Sequence, residues 1–189
     1  MDDGLLQKEW TSASASTVLG YSRARIHITQ GGEIMNRITT FSPCRKYRYT
    51  LWRKWGNGDD YAMFIGLNPS TADETEDDPT IRRCVGYAKE WEYSGLCMTN
   101  LFSFRATKPK EMFSVLAPVG KNNDIHLMEV AKKAGIVIAA WGTHGGYLDR
   151  DKRVCSLIEN LNCLSITKKG FPGHPLYLKK GLIPFLFNR

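Results

Sequence analysis

No two cysteines stand at CxxC spacing in this sequence, and the five that occur (Cys44, Cys84, Cys97, Cys155, Cys163) are odd in number and widely spread. A disulfide framework or a zinc knuckle needs regular pairs, so neither is expected, and a reducing cytoplasm fits best. No stretch approaches the roughly 20 apolar residues that cross a bilayer, and the Met-Asp-Asp start lacks the basic end and apolar core of a signal peptide. The expectation is a soluble, intracellular protein with no membrane partner. The four histidines (His27, His126, His144, His174) and the cysteines show no metal-ligand spacing, so no metal or cofactor is expected. A Walker loop is also missing, because Lys and Ser/Thr do not follow the glycines of Trp141-Gly142-Thr143-His144-Gly145-Gly146 at the needed spacing.

What is present suffices for one domain. A chain of 189 residues that is 42% hydrophobic and 11% aromatic can bury a real core, which excludes a disordered chain and is too short for two full domains. Lys and Arg number 26 against 19 Asp and Glu, a formal +7 that favours a polyanionic partner, nucleic acid or nucleotide. That charge is uneven. Residues 1–34 carry three basic and four acidic side chains, and five of the remaining acids sit together in Asp73, Glu74, Glu76, Asp77 and Asp78. With TSASAST at 11–17, breaker-rich Gln30-Gly31-Gly32 and no strong periodicity, residues 1–34 read as a loose extension, and 35–189 as a single α/β domain that translation from Met35 would supply whole.

Lys46 to Trp52 alternates with period two, and Tyr61 to Leu67 is a short apolar run ending in Asn-Pro-Ser, which reads as a buried strand feeding a turn. Asp78 before Pro79 is a helix start, with Ile81, Val85, Ala88 and Trp91 at helical spacing and Gly95 as the stop. Cys97 to Phe104 is the next strand. Asn123 or Asp124 then caps a helix, Gly135 to Trp141 is the clearest buried strand, Val154 to Leu161 carries a helix stripe, and Asn162 to Thr167 is a last strand. The order β-α-β-α-β-α-β from residue 61 predicts a three-layer α/β/α sandwich with a mainly parallel sheet of about four strands. In such sheets ligands bind beyond the carboxyl ends of the strands. Those ends are rich in Gly, Asn, His, Arg and Lys here.

Several residues at those ends could carry chemistry, and each has a plainer reading. Asn68, in Gly66-Leu67-Asn68-Pro69-Ser70, can hold a water or a base edge, while Gly66 lets the backbone approach a ligand. The alternative is an Asx turn with proline. His174, in Gly173-His174-Pro175, is a donor for charge on a leaving group or a turn histidine. His144 lies in a glycine-rich turn that can cradle an anion. Arg105, with Lys108 and Lys110, and Lys168, with Lys169, contact phosphates or are solvated surface charge. Phe102 or Phe104 stacks on a base or packs in the core. The acidic run 73–78 holds a divalent ion or, the preferred reading for such a run, is solvated and complements a helix N-terminus.

Seven ordered segments, CRKYRYTLWRKW, MFIGLNPSTAD, DPTIRRC, TNLFSFRATKP, PVGKNND, AAWGTHG and GFPGHPLYL, resemble the bacterial and phage proteins grouped as domain of unknown function 1643. More remotely, the motif order looks like the uracil-DNA glycosylase superfamily, which works in DNA repair or modification. That resemblance implies a uracil-DNA-glycosylase-like fold, with Asn68 positioning the attacking water, His174 stabilising the departing base and Asn100 reading a base edge. The second motif is His-Pro-Leu where that superfamily has His-Pro-Ser, so Leu176 or Tyr177 would be the wedge that fills a vacated base stack. The expected activity is a hydrolase acting on the N-glycosidic bond of a nucleobase, modified or not. The alternatives are a non-catalytic nucleic-acid or nucleotide binder and an enzyme acting on a free nucleotide.

Overall fold

The computed structural model of the protein describes residues 21–28 and 34–188. Its elements are strands β1 (Tyr21–Ile28), β2 (Ile34–Phe41), β3 (Arg48–Lys54), β4 (Ala62–Gly66), β5 (Gly95–Asn100), β6 (Ile136–Ala139), β7 (Asn162–Cys163) and β8 (Phe185–Leu186). Among the described residues the α-helices are α1 (Pro79–Glu90), α2 (Pro109–Phe113), α3 (Asn123–Ala131) and α4 (Arg150–Leu157). The alternation expected from residue 61 onward is present: β4, α1, β5, then α2 and α3, then β6, α4 and β7.

All eight strands form one sheet in the order β1-β2-β3-β5-β4-β6-β7-β8. Only β5, β4, β6 and β7 pair in parallel; β1, β2 and β3 extend the sheet antiparallel on one side and β8 does so on the other. A mainly parallel sheet of about four strands is therefore the centre of this sheet and not the whole. The reason is connectivity: hairpin-length links join β1 to β2 and β2 to β3, and short links of that kind can only reverse the chain.

Part of the expected loose extension also differs. The backbone of residues 21–28 pairs with β2 along its whole length, from Tyr21 against Phe41 to Ile28 against Ile34. The signal was available in the alternation of Ala24, Ile26 and Ile28 with Arg23, Arg25 and His27. Residues 1–20 and 29–33, the remainder of that extension apart from Ile34, lie outside the described residues.

The central strands are apolar without alternation because both faces are covered. On one face Met63 and Ile65 of β4 pack with Leu127 and Val130 of α3 and Val154 of α4. On the other, Ala62 and Phe64 pack with Ile81, Cys84, Tyr87 and Ala88 of α1. Helix α1 starts as the sequence indicates: the Asp78 side chain accepts from Ile81 N at 2.9 Å and Pro79 occupies the first turn. Helix α3 does not. Its N-cap is Asn122, with no side-chain capping bond, because Asn123 is buried and turned inward, where Nδ2 donates to the Asn100 and Leu101 carbonyls at 3.0 and 2.9 Å. Helix α4 begins at Arg150, earlier than the stripe from Val154 implies; Arg150 Nε donates to the Leu101 carbonyl, so a charged residue is part of the buried face.

Phe64 is fully buried and its ring stacks on Trp91 at 5.8 Å. Phe64→Ala is expected to lower unfolding free energy by about 3–5 kcal/mol, and exposed Ile166→Ala to change it by under about 0.5 kcal/mol, both measured by urea denaturation.

Candidate functional site

A cavity of about 600 Å³ opens where the carboxyl ends of the four parallel strands meet. β4 delivers Gly66 and Asn68, β5 ends in Asn100, the turn after β6 brings Trp141 to His144, and the segment after β7 brings Thr167, His174, Leu176 and Tyr177. Two further elements close it. The start of antiparallel β3 contributes Arg48, and the N-terminus of α1 contributes Asp78 to Ile81.

Asn68 and His174 thus line one cavity although 106 positions separate them in the chain. Asn68 Nδ2 donates to the carbonyls of Ala106 at 2.7 Å and Pro69 at 3.1 Å, which fixes the carboxamide and leaves Oδ1 as an acceptor without a partner among the described residues. His174 Nδ1 accepts from Leu176 N at 3.4 Å, so the neutral ring carries its proton on Nε2. Burial lowers the His174 pKa, with the Asp78 carboxylate opposing in part, and the ring is neutral at pH 7. A neutral imidazole is a hydrogen-bond donor that does not hand over a positive charge.

Asn100 is buried and joins the two halves of the site. Its Oδ1 accepts from Arg48 Nη2 at 3.3 Å, and its backbone carbonyl is held by Asn123. Gly66 makes room for it, since a Cβ there would stand 2.8 Å from Asn100 Nδ2. Among the described residues Nδ2 makes no hydrogen bond, and it is left for a ligand. Arg48 is 2% exposed, donates through Nη1 to the Ala72 carbonyl at 2.7 Å and pairs with no carboxylate among the described residues. Burial lowers its pKa to about 10, so it remains a cation. Arg48 Nε and Trp141 Nε1 are both buried without a hydrogen-bond partner among the described residues. Buried orphan donors are uncommon; the Trp141 indole nitrogen faces Gly145, where a Cβ would stand 2.6 Å from it, and not the cavity.

Of the other sequence candidates, Gly66, Ser70, Asn100, His144, Leu176 and Tyr177 also line the cavity, and Tyr177 is 82% exposed at its mouth. Four do not line it. Phe102 is fully buried and packs on Tyr147, so it is core and not a stacking platform for a base. Arg105 lies over the Phe41 ring at 5.0 Å, where its guanidinium is drawn to the aromatic face. Pro69 acts through its carbonyl, which accepts from Asn68 Nδ2 and Ala106 N. Lys168 is exposed outside the lining. Sequence reasoning missed Arg48 and Trp141. A charge placed in a strand between two tyrosines was the available signal for Arg48; nothing local marks the Trp141 indole as an orphan donor.

The acidic run is solvated only in part, with Glu76 exposed. Glu74 is buried and pairs with Arg45 at 3.1 Å, while Asp77 pairs with Arg53 at 2.7 Å and Arg37 at 3.2 Å. Arg53 Nη2 also donates to the Asp73 carbonyl at 2.6 Å, and Arg37 Nη1 to the Thr75 carbonyl at 2.7 Å. The reading that this run complements a helix N-terminus holds for Asp78 alone.

Arg53 is fully buried, so Arg53→Met strands Asp77 with one partner and is expected to cost about 3 kcal/mol in denaturant unfolding. His174 is expected to titrate below the ordinary 6.5 when followed by its imidazole NMR signals. A lowered folded pKa contributes stability that is complete above the unfolded value of about 6.5 and is lost as pH falls through the folded value. Wild type should therefore lose more stability than His174→Gln between pH 7 and pH 5.

The family model described as Protein of unknown function (DUF1643) matches residues 48–176. No curated protein and no solved structure matches the chain. The match begins at Arg48 and ends at Leu176, so it takes in Asn68, Asn100, His144 and His174. The chain belongs to the family described as Protein of unknown function (DUF1643).

Proposed function

We propose that the protein hydrolyses the N-glycosidic bond of a nucleobase, as a DNA-glycosylase-like enzyme with a uracil-DNA-glycosylase-like fold. One observation carries this reading: Asn68 and His174, from turns 106 positions apart in the chain, line the same cavity with complementary groups free. As the C1′–N bond breaks, its electrons go to the base and the sugar gains oxocarbenium character. Asn68 Oδ1 accepts a hydrogen bond from a water held against C1′. A carboxamide is no base, but the cationic sugar is electrophile enough that the water gives its proton to bulk solvent only after the C–O bond forms, and the released base anion takes one up from solvent. His174 Nε2–H donates to the base as it becomes an anion, in a partly buried site where such a bond is worth more than in water. Asn100 Nδ2, with Arg48 behind it, offers donors to carbonyl groups on the base edge. The cavity volume suits a single extruded nucleotide.

Incubating oligonucleotides that contain uracil, hypoxanthine or a modified base with wild type should yield an abasic product. Asn68→Ala and His174→Ala are each expected to lower kcat by about 100-fold or more with little change in stability. Absence of abasic product with every base would sink the reading.

A second reading, an enzyme acting on a free nucleotide, is favoured by Arg48, a buried cation that pairs with no carboxylate among the described residues and borders the cavity, where it draws a phosphate. Thermal stabilisation by mononucleotides and not by oligonucleotides would select it.

A further inference from the structure

We propose that a second groove, running along α1 from the mouth of the cavity, holds a single DNA strand by its phosphates. The groove measures about 370 Å³ and shares Pro79 and Leu176 with the cavity, so the two are continuous. Arg82, Arg83 and Lys180 stand along it. Its carboxylate, Glu90, accepts from Gly181 N at 3.0 Å and is directed to that backbone. In the loop before α1, Glu74 and Asp77 are paired with Arg45, Arg53 and Arg37 and the Asp78 carboxylate caps the helix, so of its five acids three are engaged within the protein.

Gly86 is the more telling residue. It lies inside a twelve-residue helix, where glycine is the poorest former after proline. The backbone does not require it, since Gly86 is not among the residues with positive φ. Packing does not require it either, because a Cβ built there meets nothing within 4 Å. A bare strip of helix between three cations, needed by nothing in the protein, is what close approach of an extended polyanion requires. Exposed Tyr177, beside Leu176 where groove and cavity join, offers a ring on which a neighbouring base can stack. This inference rests on the glycosidic reading only in placing the reacting nucleotide in the cavity; the strand contact is measured separately.

Gly86→Glu tests it, because the new side chain enters open space and should not disturb folding. Binding of fluorescein-labelled oligothymidylate to the full chain is followed by fluorescence anisotropy across a salt series. Wild type is expected to bind with a log-linear salt dependence that loses roughly 0.7 in slope for each cation removed in Arg83→Ala and Lys180→Ala. Gly86→Glu should weaken binding about tenfold or more, and isosteric Gly86→Gln clearly less, with circular dichroism unchanged in both. Wild type that does not bind the strand, or Gly86→Glu that binds like wild type, overturns the proposal. The two readings separate cleanly. Loss of strand binding in Gly86→Glu when wild type releases no base leaves the groove standing without the glycosylase. Base release by Gly86→Glu at unchanged kcat/KM leaves the glycosylase standing without the groove.

Discussion

The wall of the site depends on arginines of the antiparallel edge gripping the loop that follows Asn68. Arg48 holds the Ala72 carbonyl, Arg53 holds the Asp73 carbonyl and Asp77, Arg37 holds the Thr75 carbonyl and Asp77, and Arg45 holds Glu74. A guanidinium suits this task because its planar fork can satisfy a carbonyl and a carboxylate at once. The consequence runs along the chain. Once residues 72–77 are held against the sheet, Asp78 sits where it caps α1, and α1 in turn supplies one wall of the cavity and the floor of the adjoining groove.

The same grip changes what the net charge means. A formal +7 counts Arg37, Arg48 and Arg53 as though they faced solvent, but all three are buried and two of them neutralise the acidic run from within. The loop beside Asn68 therefore does not repel a phosphate backbone as five unpaired acids would. The exception among these three arginines is Arg48, which is buried and cationic, pairs with no carboxylate among the described residues and borders the cavity. A desolvated charge of that kind is costly unless something compensates it, and a ligand acceptor in the cavity is the group that can.

Legibility followed the range of the interaction that decides each feature. The start of α1 was readable because the Asp78 cap and Pro79 act within a single turn. Buried β4 and β6 were readable because uninterrupted apolar runs bounded by turns leave few other options. The fates of Phe102, Arg105, Glu74 and Arg48 were not readable. Phe102 became core because Tyr147 covers it, Arg105 settled on Phe41, and Glu74 was buried because Arg45, 29 positions earlier, arrives to pair with it. Residue type at those positions permits a surface role or a buried one with equal ease.

The sequence by itself determined the alternation of strands and helices from β4 to β7 apart from the short α2, the helix start at Asp78, and the placing of Asn68 and Asn100 at strand ends, since caps, periodicity and turn chemistry are local. Only the tertiary structure decided that the parallel strands β5-β4-β6-β7 are the centre of a longer mixed sheet, that Arg48 is buried, and that Asn68, Asn100, Arg48 and His174 share one cavity. Strand order and side-chain burial are set by contacts between residues tens of positions apart. Such contacts exist only once both partners have been brought together, so no local pattern records them.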